Sequence, residues 1–363
     1  QWEHYESTYG DGGKAEKPAY TGVNKLYPPP HEPGLPSGRE WEVLGGFPTS
    51  SGNQGGYMGK MGDRVVWKET GADESQAFLA DWKKEVKEVV RKYRPALLWF
   101  DYGQGDPSFE NVTRSVMAYY YNRAEKWDKE VEACFKFMVY GTYLPRTAGI
   151  LDIERGRKGK MSARAWMTDT SIDKDAWGYN GNPNLKSPNT LIDNLVDRVS
   201  KNGILLLSVA PKSSGVIPKG QKKRLRAMGR WLEVNGEAIY GTRPWKAFGE
   251  GPTHIEGGFK CQQWDPVTYT GRDIRFTVGD GCLYAICLGW PGKKVTIQSV
   301  KDVHSRLKAS QIKSISMLGV DGKVEWSMTG KGLTIQTPDE KPCSHAFTFA
   351  IRFKPGQEPE ALD

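Results

Sequence analysis

The chain has 363 residues, enough to bury one large core or two ordinary ones. Charged residues make up 26%, ordinary for a globular protein, and no stretch reaches the roughly 18 apolar residues of a membrane helix, so no membrane partner is expected. The net charge is +8, yet no DNA- or RNA-reading motif accompanies it, so no nucleic-acid partner is expected either.

Gln1-Trp2-Glu3-His4 opens the chain without a signal-peptide pattern or a helix or strand start, as in a mature or truncated product. Residues 1–74 are rich in Gly, Pro and Ser, as in Tyr27-Pro28-Pro29-Pro30 and Thr49-Ser50-Ser51-Gly52. With no periodicity over that length they read as loop packed over a neighbour.

Order begins at Phe78, Trp82, Val86, Val89, Val90 and Tyr93, which fall at helical spacing up to Pro95. Ala96-Leu97-Leu98-Trp99-Phe100 then forms a continuous apolar run, the pattern of a strand buried on both faces, and stops at Asp101-Tyr102-Gly103. The rhythm repeats with a helix over Val112, Val116, Tyr120, Ala124 and Trp127 and a strand over Ala133–Tyr140. Further strands are read over Gly149–Glu154 and Ala165–Ile172, a third helix at Leu191, Ile192, Leu195 and Val199, and a strand at Ile204–Val209. A fourth helix starts near Pro218 and closes at Asn235-Gly236, a C-cap pair. Its Lys219, Lys222, Lys223, Arg224, Arg226 and Arg230 alternate with Leu225, Met228, Trp231 and Leu232, which reads as the wet face of an amphipathic helix, with an anionic polysaccharide surface as the other reading.

Alternating helices and buried strands predict a parallel α/β sheet, and carboxylates just past the strand ends predict a (β/α)8-like barrel. Only about four or five of the eight units of a closed barrel are present, so the N-terminal part is expected to lie outside this chain. After Trp245 the pattern changes to period-2 patches at Asp273–Val278, Leu283–Ile286, Val295–Ile297 and Leu333–Ile335, with turn signals at Asp280-Gly281 and Asp321-Gly322. These predict a small antiparallel β-sandwich. The expected organisation is a partial barrel with a loop-rich start over residues 1–247 and a sandwich over 248–363.

The five cysteines, Cys134, Cys261, Cys282, Cys287 and Cys343, contain no C-x-x-C pair, so neither a zinc nor a redox site is indicated. Two carboxylates after buried strands, Asp101 and Glu154, are what a glycosidase needs: one to attack or stabilise the anomeric carbon, one to protonate the leaving oxygen. Taken alone, each also reads as a helix cap or an ion-pair partner.

Leu98-Trp99-Phe100-Asp101 resembles the nucleophile segment of the glycoside hydrolase family 29 α-L-fucosidases, and Asp152-Ile153-Glu154-Arg155-Gly156 resembles its acid/base segment in one bacterial branch. Trp166–Ser171, Ala176-Trp177-Gly178-Tyr179, Ser200-Lys201-Asn202-Gly203 and Asn235–Trp245 are similar to later segments of the same family. The resemblance implies Asp101 as nucleophile, Glu154 as acid/base, and Trp99 and Trp177 as aromatic walls around fucose. It implies a retaining α-L-fucosidase with no metal or organic cofactor, acting on a fucosylated glycan or fucose-containing polysaccharide. A catalytically impaired fucose- or fucan-binding protein on the same fold is the alternative. Ile204 and Ser208 stand where members commonly show Asn, and Val139-Tyr140-Gly141 where they often place a basic residue near the sugar. The histidines and glutamate that grip the sugar hydroxyls in the family are expected from about 150 or more upstream residues, in the same or a separate chain. The expected location is secreted or periplasmic.

Overall fold

A computed structural model describes residues 42–46, 57–61, 64–68, 76–101, 109–136, 144, 147–258, 267–302 and 305–361. The chain divides into two compact units, Gln1–Asp152 and Ile153–Asp363. Among the described residues no helix is long and apolar enough to cross a membrane.

The first unit corrects the reading of residues 1–74 as loop. Strands β1 (Glu42–Gly46), β2 (Tyr57–Met61) and β3 (Arg64–Lys68) pair as an antiparallel meander. Met61 stands opposite Arg64 in the β2–β3 ladder. The short strands had been hidden by the Gly- and Pro-rich sequence around them. Tyr27–Pro30 and Thr49–Gly52 lie outside the described residues.

Helix α1 (Gln76–Tyr93) ends before Arg94, which takes a positive φ of 46°, and Pro95 prevents its continuation. Strand β4 (Leu97–Phe100), helix α2 (Glu110–Lys126), strand β5 (Glu132–Lys136) and strand β6 (Ile150–Asp152) follow, and β4, β5 and β6 pair in parallel. Their core holds Val90, Val116, Met117, Tyr120, Ala133 and Phe135. Phe100 stacks on Phe135 with ring centroids 4.6 Å apart and meets Trp82 of α1 at 5.7 Å. The apolar run at β4 had suggested burial on both faces, but Leu97 keeps 38% exposure. Among the described residues β4 pairs only with β5, so it is an edge strand.

In the second unit, β7 (Trp166–Ser171) and β8 (Gly203–Ser208) pair in parallel, joined through helix α3 (Pro188–Val199). Helix α3 starts at Ser187, whose hydroxyl accepts from Thr190 N at 3.0 Å, and Pro188 occupies the first turn. Gly203 stands opposite Trp166 in the ladder, and a Cβ there would lie 2.7 Å from the indole. Strand β8 also departs from two-sided burial: Ile204 is 40% exposed.

Helix α4 (Lys219–Asn235) buries Met228 and Trp231 and leaves Lys219, Lys222, Lys223, Arg226 and Arg230 exposed, as its amphipathic pattern requires. Its end differs from the expected cap. Gly236 has an ordinary φ of −60° and leads into a 3₁₀ turn (Gly236–Ala238). A Cβ at this glycine would come within 2.9 Å of the exposed Tyr240 ring.

The sandwich consists of a five-stranded antiparallel sheet and a three-stranded one. The larger sheet runs in the order β13 (Ile312–Met317), β16 (Phe347–Phe353), β11 (Cys282–Cys287), β10 (Ile274–Gly279), β9 (Arg243–Glu250). The smaller runs β12 (Lys294–Ile297), β15 (Gly332–Gln336), β14 (Trp326–Thr329). The β10–β11 hairpin turns at Asp280-Gly281, both with positive φ, as a two-residue type I′ connection demands. Strand β11 explains how the larger sheet is covered. Leu283, Ala285 and Cys287 enter the core shared with β12 and β15, while Cys282, Tyr284 and Ile286 enter a second core with α3 and α4. Because helices and sandwich share that second core, the compact unit runs through residue 247 without a break. The described cysteines Cys134, Cys282, Cys287 and Cys343 are free thiols.

Replacing Gly203 with Ala is expected to destabilise the protein by about 1–3 kcal/mol, because Trp166 and the Arg198 carbonyl leave no room for the methyl group. Denaturant unfolding of the variant measures the loss.

Candidate active site

Within the first unit the parallel strands end in a polar cluster. The pleat sends Phe100 toward α1 and its neighbours Trp99 and Asp101 to the opposite face. Lys136, the last residue of β5, is 4% exposed, and its Nζ lies 2.8 Å from Asp101 Oδ1. The same ammonium sits 5.4 Å from the centre of the Trp99 ring, within cation–π range. Trp99 Nε1 donates to Asp152 Oδ2 at 2.8 Å, and Asp152, at the end of β6, is fully buried. Asp101 itself keeps 58% side-chain exposure, so a cation holds one oxygen while solvent reaches the carboxylate. The structure thus brings Asp101 and Trp99 together around Lys136.

Within the second unit, Glu154 lies on a stretch that runs beside β7: Ile153 N donates to Met167 O at 2.9 Å and Arg155 N to Asp169 O at 2.8 Å. The chain then reverses. Gly156 N donates to Ile153 O at 2.9 Å, closing a four-residue turn with Glu154 and Arg155 at its centre. Arg155 takes a left-handed φ of 44°, a conformation that costs an L-residue energy unless its surroundings hold it. Gly156 is required there, since a Cβ would lie 2.3 Å from Ile153 Cγ2 and 2.8 Å from the Gly258 carbonyl. Thr168 adds a clamp, its hydroxyl donating to Ile153 O at 2.8 Å and accepting from Gly156 N at 3.1 Å.

Glu154 is 5% exposed and Arg155 2%. The Arg155 guanidinium donates to Lys174 O at 2.7 Å and lies over the Trp177 ring, 4.2 Å from its centre. Burial lowers the pKa of this guanidinium, against the pull of Glu154, Asp169 and Asp173. Trp177 remains 37% exposed, so the structure joins Glu154 to an open aromatic surface through Arg155. Near the end of β7, buried Lys186 donates to Thr170 Oγ1 and Ser171 O, each at 2.7 Å. Burial, then Arg155 and Arg198, push its amine down to about 7.

Asp101 and Trp99 therefore fall in one unit, Glu154 and Trp177 in the other, and beside each pair stands a cation, Lys136 or Arg155, to which the sequence pattern assigned no role. The signal for Lys136 was a lone charge in the apolar run Ala133-Cys134-Phe135-Lys136-Phe137-Met138. Val139-Tyr140-Gly141, the segment where members of the resembled family often carry a basic residue, lies outside the described residues.

The α-L-fucosidase family model matches residues 59–237, and the model of the α-L-fucosidase C-terminal domain matches 265–352. The tissue α-L-fucosidase of Rattus norvegicus is 28% identical over 273 residues, which is 71% of this chain and 51% of that protein. That of Homo sapiens is 28% identical over 283 residues, 74% of this chain and 53% of that protein. The chain spans about half the length of these relatives. A crystal structure of Thermotoga maritima α-fucosidase in complex with fucose aligns with a TM-score of 0.58 at 26% identity, covering 76% of this chain and 57% of that one. The same enzyme with a mechanism-based inhibitor aligns with a TM-score of 0.59 at 26% identity, covering 77% and 57%. Both domain types read from the sequence, barrel-type strand–helix repeats and a C-terminal sandwich, are thus matched in order, and the chain belongs to the α-L-fucosidase family.

Proposed function

We propose that the protein is a retaining α-L-fucosidase that hydrolyses terminal α-L-fucosyl linkages of a fucosylated glycan or fucose-containing polysaccharide. The observation that carries this reading is the Asp101 carboxylate, solvent-accessible at the end of a parallel strand and held through one oxygen by buried Lys136. In this reading an Asp101 oxygen attacks C1 of fucose as Glu154 gives its proton to the departing glycosidic oxygen. The C1–O bond to the aglycone breaks, and a covalent fucosyl-enzyme ester remains. Glu154, now a carboxylate, takes a proton from water, whose oxygen attacks C1 and releases Asp101. Two inversions leave the anomeric configuration unchanged. Trp99 and Trp177 offer apolar walls suited to the 6-deoxy edge of fucose, and the relative crystallised with a mechanism-based inhibitor supports the same chemistry here.

Asp101→Gly is expected to lower turnover of 4-nitrophenyl α-L-fucoside by several orders of magnitude, with partial recovery on adding azide, which fills the vacated space. Turnover close to the parent without azide would remove Asp101 from the role. Glu154→Ala is expected to cost about 10²–10⁴-fold on a fucoside with a poor leaving group and far less on the activated aryl fucoside. Equal losses on both substrates would assign Glu154 a structural role instead. Lys136→Met is expected to reduce aryl-fucoside turnover by about 10²-fold, since it removes the charge held against Asp101, with Lys136→Arg recovering part of it. Steady-state rates measure all three, and the parent's activity on the aryl fucoside separates an enzyme from a fucose-binding protein.

A further inference from the structure

A group of buried charges lies outside the cluster around Glu154 and yet reaches it. Asp197, near the end of α3, has no exposed surface. Its Oδ1 accepts from Lys201 Nζ at 2.8 Å and from Arg275 Nε at 2.8 Å, and its Oδ2 from Arg198 Nη1 at 3.1 Å. The side chains of Arg198, Lys201 and Arg275 are 1%, 0% and 3% exposed. Burial acts to raise the Asp197 carboxyl, and Arg275, Lys201 and Arg198 together overcome it and hold the group below the usual carboxylate range.

Two of these cations extend the network to the segment that follows Glu154. Arg198 Nη2 donates to the Gly156 carbonyl at 3.2 Å, and Lys201 Nζ donates to the Lys158 carbonyl at 2.9 Å. Gly156 closes the turn that has Glu154 and Arg155 at its centre, so its amide is tied to Ile153 and its carbonyl to Arg198. The third cation, Arg275, belongs to β10 of the sandwich. It rests against Tyr269 and Phe248, 5.0 Å and 5.7 Å from the ring centres, and Lys201 lies 5.0 Å from the Phe248 ring.

We infer that Arg275 of the sandwich is a positioning residue for Glu154, acting through Asp197 and then through Arg198 and Lys201 on the backbone at Gly156 and Lys158. The physical reason is the left-handed conformation of Arg155. A turn with a strained residue keeps its shape only while its neighbours are held, and here the carbonyl after the strained residue is held by a side chain whose direction depends on Asp197. Without Arg275, Asp197 loses a buried cation, and Arg198 and Lys201 reorganise around the remaining charge. Glu154 then keeps its chemistry and loses its aim.

The inference rests on Glu154 being the acid/base, and the test separates the two claims. In the full natural chain, Arg275→Met and Lys201→Met are compared with the parent and with Glu154→Ala on methyl α-L-fucoside and on 4-nitrophenyl α-L-fucoside. Melting curves show which variants fold. For folded variants we expect kcat/KM on the methyl fucoside to fall by up to about 10²-fold, the scale of a displaced catalytic group, with a much smaller fall on the aryl fucoside. Arg275→Lys, which keeps the charge and is expected to fold, should show the same split at reduced size, and it decides the matter if the methionine variants do not fold. Equal losses on the two substrates in the folded variants, or no loss on either, would overturn the inference while Glu154→Ala still showed its own split. Absence of that split in Glu154→Ala would instead sink the assignment of Glu154, whatever the Arg275 variants do.

Discussion

Much of the second unit is organised by one carboxylate that has been taken out of water. Moving an ionised Asp into the interior costs several kcal/mol even after relaxation, and the cost is met only where cations and hydrogen bonds surround it. Asp197 satisfies that condition with Arg198 and Lys201 from its own region of chain and Arg275 from β10, 78 positions away. A sheet strand, a helix and the segment after Glu154 are thereby fixed to one point. Apolar packing acts beside it, with Leu191, Val196, Met228 and Trp231 meeting Cys282, Tyr284 and Ile286 in one core. The charge-assisted hydrogen bonds of the network are directional, which apolar contacts are not.

The same economy of position operates at the strand ends. A pleated strand offers alternate residues to opposite faces, so β4 commits Phe100 to the helix-covered core and leaves Trp99 and Asp101 together on the other side. Parallel pairing then aligns the last residues of neighbouring strands, with Lys136 opposite Asp152. A nucleophile candidate, a cation and an indole held by a buried acid follow from register alone. In the second unit the candidate Glu154 rides on a turn, and Thr168 of β7 and the lack of space at Gly156 hold that turn in place.

How far this was legible in the sequence depended on the range of the interaction. Helices α1 to α4 announced themselves by spacing, since Trp82, Val86 and Val90 or Met228 and Trp231 fall one turn apart. Asp280-Gly281 announced the β10–β11 hairpin because few other residues accept positive φ at both turn positions. Strands β1 to β3 were missed because five-residue strands amid Gly and Pro carry too short a pattern to count. Two-sided burial at β4 and β8 was overread: an apolar run reports hydrophobicity and does not reveal whether a neighbour covers Leu97 or Ile204. Asp101 and Glu154 stand out as candidates because they end apolar runs and sit in segments resembling a known family. Lys136, Asp152, Asp197 and Arg275 act through pairings that are 35 to 78 residues apart or that depend on them, and local pattern is silent about such partners.

The two proposed catalytic carboxylates also sit in unlike surroundings, and the difference matches the work asked of each. Asp101 is 58% exposed and fixed by an ammonium, leaving it open to an incoming anomeric carbon from the solvent side. Glu154 is 5% exposed and embedded beside Arg155, whose guanidinium is itself fixed by the Lys174 carbonyl and the Trp177 face. A nucleophile has to be reached, so an accessible strand end serves it. A proton donor has to be aimed at one oxygen through two successive steps, so a turn held from several sides serves it better. Placing Arg155 directly after Glu154 couples that aim to the aromatic surface at Trp177. The Ile153–Gly156 turn and the open face of Trp177 are thus joined through the Arg155 side chain.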